Sequence, residues 1–159
     1  MLSLRTRRPY LVLIDCVDVL RHLYARIVIP KEVFDELTAP GSLPPLLAWI
    51  QTRPDWIEVR LAPIGDATRT EAHELDLDAG EAAAIRLAIT EQGSLLLIDE
   101  AAGRAVATRL GVANTGTLGV LLAAAKEGLI DLRVALSRLQ GTNFRISRTL
   151  VDRLIADSQ

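Results

Sequence analysis

The sequence contains few of the residues that build several common kinds of site. Cys16 is the only cysteine among the 159 residues, which excludes an internal disulfide and a cysteine-rich zinc site and fits a reducing compartment. It is predicted to lie in an apolar helix, CVDVLRHLY, and to form part of the hydrophobic core. His22 and His73 are far apart in the sequence and do not form a metal-ligand pair. No nucleophilic side chain is accompanied by a recognisable base, so the sequence does not support Ser/His/Asp chemistry.

Long apolar runs are missing as well. The run Tyr10–Ile14 follows several basic residues, but it is too short for the core of a signal peptide or for a membrane span. The stretch LGVLLAAA is also short and is followed directly by Lys126. The sequence therefore predicts a cytoplasmic protein that does not enter a membrane.

Positive charge is scarce and consists almost entirely of arginine. Lys31 and Lys126 are the only lysines, and the formal net charge is -2. A uniformly basic surface for nucleic acid is therefore excluded, and any contact with nucleic acid must be local. Half of the residues are apolar, which excludes disorder as a whole and predicts one folded domain over residues 1–159.

Short apolar runs alternate with amphipathic stretches along the chain. Strands are predicted at 26–30, 56–62 and 95–98, with a short strand and turn at 112–116. Helices are predicted at 30–38, 43–51, 78–93, 100–111, 117–130, 131–141 and in the second part of 144–158, and the segment 66–77 is ambiguous. This alternation indicates an α/β sandwich around a mainly parallel sheet. Its opening segment, MLSLRTRRPYLVLI, is a poor strand because Arg5, Arg7 and Arg8 do not belong inside a sheet.

Two acids, Asp99 and Glu100, follow the apolar run LLLI directly. Ligands of open parallel sheets collect at the carboxyl ends of the strands, and carboxylates that converge there form a hard oxygen site for Mg²⁺ or Mn²⁺. Such an ion can activate water for attack on a phosphodiester. The alternative is that Asp99 caps the next helix and that Glu100 is favoured by the helix dipole.

Two earlier acids have the same double interpretation. Asp78 and Glu81 match a capping box, which would explain both residues without any chemistry. Glu81 also lies in the first turn of its helix, close to the loops where strands end. Glu36 lies beside the apolar stripe of a short helix, where an acid is often only solvated.

The stretch NTGTLG at 114–119 places threonine and glycine before a helix. Exposed N–H groups at a helix N-terminus attract phosphate, so Thr115 and Thr117, together with Arg104, are candidates for phosphate contacts. The glycine spacing does not fit a dinucleotide fingerprint, and the lysine of a P-loop is absent. The alternative is a helix capped by Thr117.

Several segments together resemble one family. IVIPKEVFDEL, LDAGEAAAIRLA, LLLIDEAAGRAVATRLG, NTGTLGVLLAAAKEGLI and NFRISRTLVDRLI occur in the order and spacing of a branch of the PIN-domain superfamily that is similar to VapC-type toxins. The resemblance covers roughly residues 10–157. It implies a three-layer α/β/α sandwich and metal-dependent cleavage of RNA. It also implies homodimers and, in toxin members, a neighbouring antitoxin that blocks the site.

The same resemblance implies roles for individual acids. Glu36 matches the acid of the early helix, Glu81 the acid of the GE helix start, and Asp99 the acid at the end of the later strand. Glu100 stands beside Asp99 as a helper. These residues would hold Mg²⁺ or Mn²⁺.

One departure from the family pattern concerns the first strand, which in the family ends in Asp. Here that position falls at about Leu4, and no acid precedes Asp15, which is predicted at the start of the first helix. The sequence therefore predicts a first strand that is degraded or truncated and a nuclease that is impaired. Either the start is a truncated or frame-shifted version of an active gene, or the protein is a decayed homologue.

Two other functions remain open at this point. The first is a catalytically inactive binding module that keeps its dimer and its contacts with antitoxin or RNA, and the missing first acid favours it. The second is a nucleotide-binding regulatory α/β domain, which rests only on the fold class and on NTGTLG.

Overall fold

A computed structural model of the chain describes residues 2–5, 9–52, 55–63, 77–91 and 93–156. The ambiguous segment 66–77 lies outside this set except for its last residue, and so does His73. The described strands are β1 (Leu2–Arg5), β2 (Ile27–Pro30), β3 (Ile57–Arg60), β4 (Leu95–Ile98) and β5 (Asn114–Thr115). They form one parallel sheet in the order β3-β2-β1-β4-β5.

Helices connect these strands. They are α1 (Tyr10–Leu13), α2 (Val19–Leu23), α3 (Lys31–Thr38), α4 (Pro44–Thr52), α5 (Ala79–Thr90), α6 (Ala101–Arg109), α7 (Thr117–Lys126), α8 (Leu132–Gln140) and α9 (Arg148–Ala156). The predicted strands at 26–30, 56–62, 95–98 and 112–116 and the predicted helices from 30–38 onwards are confirmed, with ends that shift by a few residues. None of the described helices is long and apolar enough to cross a membrane.

The sheet is covered on both faces, as the alternation of side chains along β4 shows. Leu96 and Ile98 pack in a cluster with residues of α5 and α6. Leu97 points to the opposite face and joins the larger cluster that includes α1, α2, α7 and α8. Because successive side chains of a strand point to opposite faces, a fully apolar strand such as LLLI requires helices on both sides. The predicted three-layer α/β arrangement is confirmed.

The first strand corrects one prediction. β1 has four residues, like β2 and β4, and pairs with both of these strands at the centre of the sheet. The prediction that much of the central strand is missing is therefore wrong for the backbone. Leu2 and Leu4 provide the apolar alternation that a short strand needs, and the first arginine, Arg5, occupies its last position.

The segment after the first strand departs from the predicted helix around Cys16. α1 ends before Asp15, which has a φ of 59°, and α2 begins only at Val19. Cys16 therefore lies in the turn between two short helices, where it is buried in the larger core cluster. Its predicted place in the core is confirmed, whereas its predicted place inside a helix is wrong.

Candidate active site

Asp99 follows the last residue of β4 and reaches across to the start of α7. Its Oδ1 accepts a hydrogen bond from the backbone N–H of Thr117 at 2.7 Å, and its Oδ2 accepts one from the Thr117 hydroxyl at 2.7 Å. Because the N-terminus of a helix carries partial positive charge, the α7 terminus is a favourable place for this carboxylate. Asp99 thus satisfies an orphan N–H of a helix that begins 18 residues later in the sequence.

This arrangement corrects two predicted helix caps. The N-cap of α6 is Glu100, which makes no side-chain capping bond, so Asp99 does not cap its own helix. The N-cap of α7 is Gly116, and Thr117 is the first helical residue. The prediction failed because sequence spacing shows only local capping partners, whereas the bond from Asp99 to Thr117 joins two separate elements.

Glu81 is confirmed as part of a capping box at the start of α5. The backbone N–H of Glu81 donates to Asp78 Oδ1 at 2.9 Å, and the N–H of Asp78 donates to Glu81 Oε2 at 3.2 Å. Glu81 is only 6% exposed, which is rare for a glutamate. A buried carboxylate is costly unless hydrogen bonds or opposite charges stabilise it, so the capping bond contributes to keeping it there.

Glu36 lies on α3, half-buried, and its carboxylate rests against the start of α5. A Cβ atom added to Gly80 would lie 3.0 Å from Glu36 Oε1 and 3.3 Å from Oε2. One wall of an open groove of about 870 Å³, between the α3–α4 connection and the α8–α9 connection, is also formed by Glu36. Glu36 is therefore reachable from a surface groove, in contrast to the buried Glu81.

The three predicted acids lie in one region of the molecule. The Glu36 carboxylate contacts Gly80, which directly precedes Glu81 in the chain. A Cβ added to Gly103 on α6 would lie 3.3 Å from Glu81 Oε1 and would also meet the side chain of Ile98, which directly precedes Asp99. The Glu36 carboxylate therefore lies beside the start of α5, and the Glu81 carboxylate lies beside α6, near the last residue of β4.

These acids do not converge on one point. Within the part of the chain that the structure describes, no group of three His, Cys, Asp or Glu side chains lies close enough to hold one metal ion. The carboxylates have the right chemistry for Mg²⁺ or Mn²⁺, and Thr117 occupies only two of about four lone-pair positions of Asp99. Their separation is what prevents a fit, so the described residues do not form a complete site for a divalent ion.

The register of the sheet shows which part of the first strand faces Asp99. Leu4 pairs with Leu97, and Arg5 pairs with Ile98, the residue before Asp99. The position at about Leu4, where the family pattern has its acid, therefore pairs with the residue two before Asp99. No acid occurs in the sequence before Asp15, so β1 itself contains no carboxylate side chain.

The NTGTLG stretch builds the contact between β5 and α7. Thr117 is 1% exposed and uses both its N–H and its hydroxyl for Asp99. Thr115 is half-buried and packs against Gly119, where a Cβ would lie 2.2 Å from its Oγ1. The predicted phosphate contacts of Thr115 and Thr117 stay predictions, while the geometry gives Thr117 a protein carboxylate as its partner.

The two remaining predicted residues, Glu100 and Arg104, follow Asp99 in the chain, at the N-cap of α6 and within this helix. Arg104, which is half-buried, donates from Nη1 to the carbonyl oxygen of Asp99. Glu100 is exposed and lies one residue after Asp99. The phosphate contact of Arg104 and the helper role of Glu100 stay predictions.

Sequence reasoning missed the glycines that contact the acids. Gly80, Gly103 and Gly116 each lie where an added Cβ would approach a carboxylate oxygen of Glu36, Glu81 or Asp99. A signal was present at Gly80 and Gly103, because glycine inside a helix is unfavourable and often marks a close approach. Gly116 belongs to the NTGTLG stretch, for which the sequence predicts phosphate contacts.

The chain was compared with known proteins. Residues 9–159 match the family model described as "DUF3368: PIN domain". No curated protein and no solved structure matches the chain.

Proposed function

The chain belongs to the PIN-domain family, a family of nucleases, and on this basis we propose that it is an RNA-directed endoribonuclease with impaired activity. The proposed type is that of the toxin in a type II toxin–antitoxin pair, as the VapC-like motifs imply. Mg²⁺ or Mn²⁺ is the proposed cofactor. The proposed acids are Glu36, Glu81 and Asp99, with Glu100 as a helper.

One observation supports the proposal, namely that the three acids lie on elements that pack next to one another. Glu36 lies on α3, Glu81 on α5 and Asp99 at the end of β4, and α5 packs against both α3 and β4. Open parallel sheets bind their ligands at the carboxyl ends of their strands, where Asp99 lies. A merely solvated Glu36 or a merely capping Glu81 would not require this arrangement.

The impairment follows from the end of the first strand. The first strand of the family pattern ends in an acid, whereas β1 contains no acid, and its last residue, Arg5, pairs with the residue before Asp99. Divalent ions bind through several oxygen ligands, and removing one carboxylate lowers both the negative charge and the number of ligands. We therefore expect weak affinity for the ion and slow cleavage.

The proposal gives the other residues of the site supporting roles. Thr117 holds Asp99 in place through two hydrogen bonds. Arg104 bonds the backbone of Asp99 and would contact phosphate from its half-buried position, with Thr115 nearby on β5. The groove beside Glu36, which is half-buried, would give an RNA strand a path towards this acid.

Partners are proposed from the family resemblance alone. RNA would be the substrate, a second copy of the chain would complete a homodimer, and a cognate antitoxin would block the site. Sedimentation equilibrium tests the homodimer directly, and a mass equal to that of one chain at micromolar concentration would overturn it.

A second candidate function is favoured by a specific observation. The described residues bring no three ligating side chains together, and Asp99 already has a protein partner in Thr117. A PIN-like binding module without catalytic activity, which contacts RNA or an antitoxin, would have these features.

RNA cleavage by the purified chain and by a Thr6→Asp variant tests the first proposal. Thr6 follows β1 in the sequence as Asp99 follows β4, and the last residue of β1, Arg5, pairs with Ile98, so the acid is restored at position 6. We expect slow cleavage with Mn²⁺, faster cleavage by Thr6→Asp, and none with chelator. If neither chain cleaves RNA, or if Asp99→Asn cleaves as fast as its parent, the ribonuclease proposal is wrong.

Calorimetric titration with Mn²⁺ separates the two candidates. An impaired nuclease should bind the ion weakly and lose that binding in Glu81→Gln. For a binding module without activity, the heat of Mn²⁺ titration should be the same for the parent and for Glu81→Gln. Such a module should still bind RNA or a partner in the presence of chelator.

A further inference from the structure

Two glycines lie against the carboxylates of the proposed site. A Cβ on Gly116 would lie 2.9 Å from Asp99 Oδ1, and a Cβ on Gly80 would lie 3.0 Å from Glu36 Oε1. Neither position needs glycine for its backbone conformation. Gly116 has a φ of -112°, which any residue adopts, and Gly80 lies within helix α5.

We propose that Gly80 and Gly116 are positioning residues for the carboxylates of Glu36 and Asp99. This inference rests on the proposed function, because it assigns the two glycines to the same site. Each glycine lacks a Cβ atom where a carboxylate oxygen lies close by. The absence of this atom allows the oxygen to approach the start of α5 at Gly80 and the start of α7 at Gly116. The glycines act through the acids and do not themselves contact a substrate.

Gly116 has the stricter role because its carboxylate cannot move freely. Thr117 holds both oxygens of Asp99 at 2.7 Å, so a methyl group on residue 116 would have to displace the carboxylate against these two bonds. A heavy atom at 2.9 Å from the oxygen is closer than a carbon and an oxygen normally approach. Substitution would therefore shift Asp99, Thr117 or both.

Substitution of Gly80 should have a smaller effect, because the side chain of Glu36 is longer than that of Asp99 and is only half-buried. Its added Cβ would also lie 3.2 Å from Val33 Cγ2, so α3 and the Glu36 carboxylate would both have to give by a few tenths of an ångström. Alanine is the better helix former, so glycine at this helical position is intrinsically unfavourable. The close approach of Glu36 and Val33 gives a physical reason for glycine at this position.

Gly103 does not share this role. Its added Cβ would lie 2.2 Å from Ile98 Cδ1, much closer than the 3.3 Å to Glu81 Oε1. The space at Gly103 serves the packing of α6 on β4, and an effect of Gly103→Ala would not report on a carboxylate.

The test compares Gly80→Ala and Gly116→Ala with the parent in steady-state RNA cleavage with Mn²⁺. Displacing a catalytic group by a fraction of an ångström lowers the rate more than binding, so we expect kcat to fall about tenfold or more, with KM nearly unchanged. Unchanged kcat in both variants, or a rise in KM alone, would overturn the proposal.

A double-mutant cycle of unfolding midpoints tests the same contacts without any activity. We expect Gly116→Ala to lower the midpoint in the parent and to leave it unchanged in an Asp99→Ala background, and Gly80→Ala to raise it more in a Glu36→Ala background than in the parent. Equal shifts with and without the carboxylate would overturn the proposal. If neither the parent nor Thr6→Asp cleaves RNA, the ribonuclease proposal fails, and the cycle still decides whether the glycines position these carboxylates.

Discussion

The carboxylate of Asp99 is bound at both oxygens by one residue, Thr117, through its N–H and its hydroxyl, each at 2.7 Å. The carboxyl end of β4 is thereby joined to the N-terminus of α7. The anion that this helix N-terminus attracts is a side chain of the protein itself. In the NTGTLG stretch, for which the sequence predicts phosphate contacts, Thr117 therefore binds the carboxylate of Asp99.

Removing the Thr117 hydroxyl should destabilise the fold. Thr117→Val keeps the shape and loses a hydrogen bond to a charged group, which contributes about 1.5–3 kcal/mol, whereas Thr117→Ser keeps the hydroxyl and loses one methyl group, worth about 1 kcal/mol. Urea unfolding of the two variants measures the difference. Thr52→Val is the control, because the exposed Thr52 hydroxyl bonds only its own helix. Equal stability of Thr117→Val and Thr117→Ser would contradict the assigned bond.

The capping box at α5 should separate stability from chemistry. Asp78→Ala removes the side-chain oxygen that accepts from the Glu81 N–H, and loss of an N-cap costs about 1 kcal/mol. Glu81→Gln keeps an oxygen that can accept from the Asp78 N–H but removes the charge. We expect Asp78→Ala to lower the free energy of unfolding and retain RNA cleavage, and Glu81→Gln to abolish cleavage.

Unfolding curves and cleavage rates of the two variants, measured on the same preparations, check this separation. If Glu81→Gln cleaves RNA at the parent rate, Glu81 is only a capping residue. If Asp78→Ala is as stable as the parent, the capping bonds do not contribute to stability.

The surface ion pair between Arg26 and Glu58 should contribute little. Their side chains lie 2.5 Å apart but are 43% and 44% exposed, and exposed pairs contribute about 0–1 kcal/mol. Glu58 also pairs with Arg60, so Arg26→Gln is the variant that removes only the pair with Arg26. We expect Arg26→Gln to change the free energy of unfolding by less than about 1 kcal/mol and the change to shrink further in high salt. A larger loss would mean that the edge strand β3 depends on this charge.

The fold could be predicted from local patterns because those patterns act within single elements. The four apolar residues of β4 and the capping box of Asp78 and Glu81 depend only on neighbours in sequence, and both are present as predicted. The first strand was misjudged because arginines were expected in its interior, whereas Arg5 occupies the last position of the described strand.

The candidate site could be predicted only in part, because its contacts join distant elements. The sequence indicated which acids lie near strand and helix ends. The structure places the Glu36 carboxylate against Gly80, the residue before Glu81. The partner of Asp99 depends on the packing of α7 beside β4, which no local spacing encodes. Glycines that make room for a side chain elsewhere in the chain have the same character.

The buried thiol of Cys16 gives the protein a pH dependence that can be measured. Burial raises the pKa of Cys16 above its ordinary value of 9.0, with a smaller raising effect from Asp15 and an opposing effect from Arg138. Because the folded state keeps this proton to a higher pH than the unfolded state, the stabilisation is complete below pH 9.0 and is lost as the pH rises through the folded pKa. Burial likewise raises the pKa of Tyr24 above 10.0, so its contribution is lost at still higher pH.

Urea unfolding at a series of alkaline pH values separates the two groups. We expect Cys16→Ala to be less stable than the parent at neutral pH because it leaves a small cavity, but to lose less stability as the pH first rises above 9.0. Tyr24→Phe serves as the control, since it should alter only the loss at higher pH. A parent and a Cys16→Ala variant with parallel stability curves across this range would show that the thiol proton does not contribute.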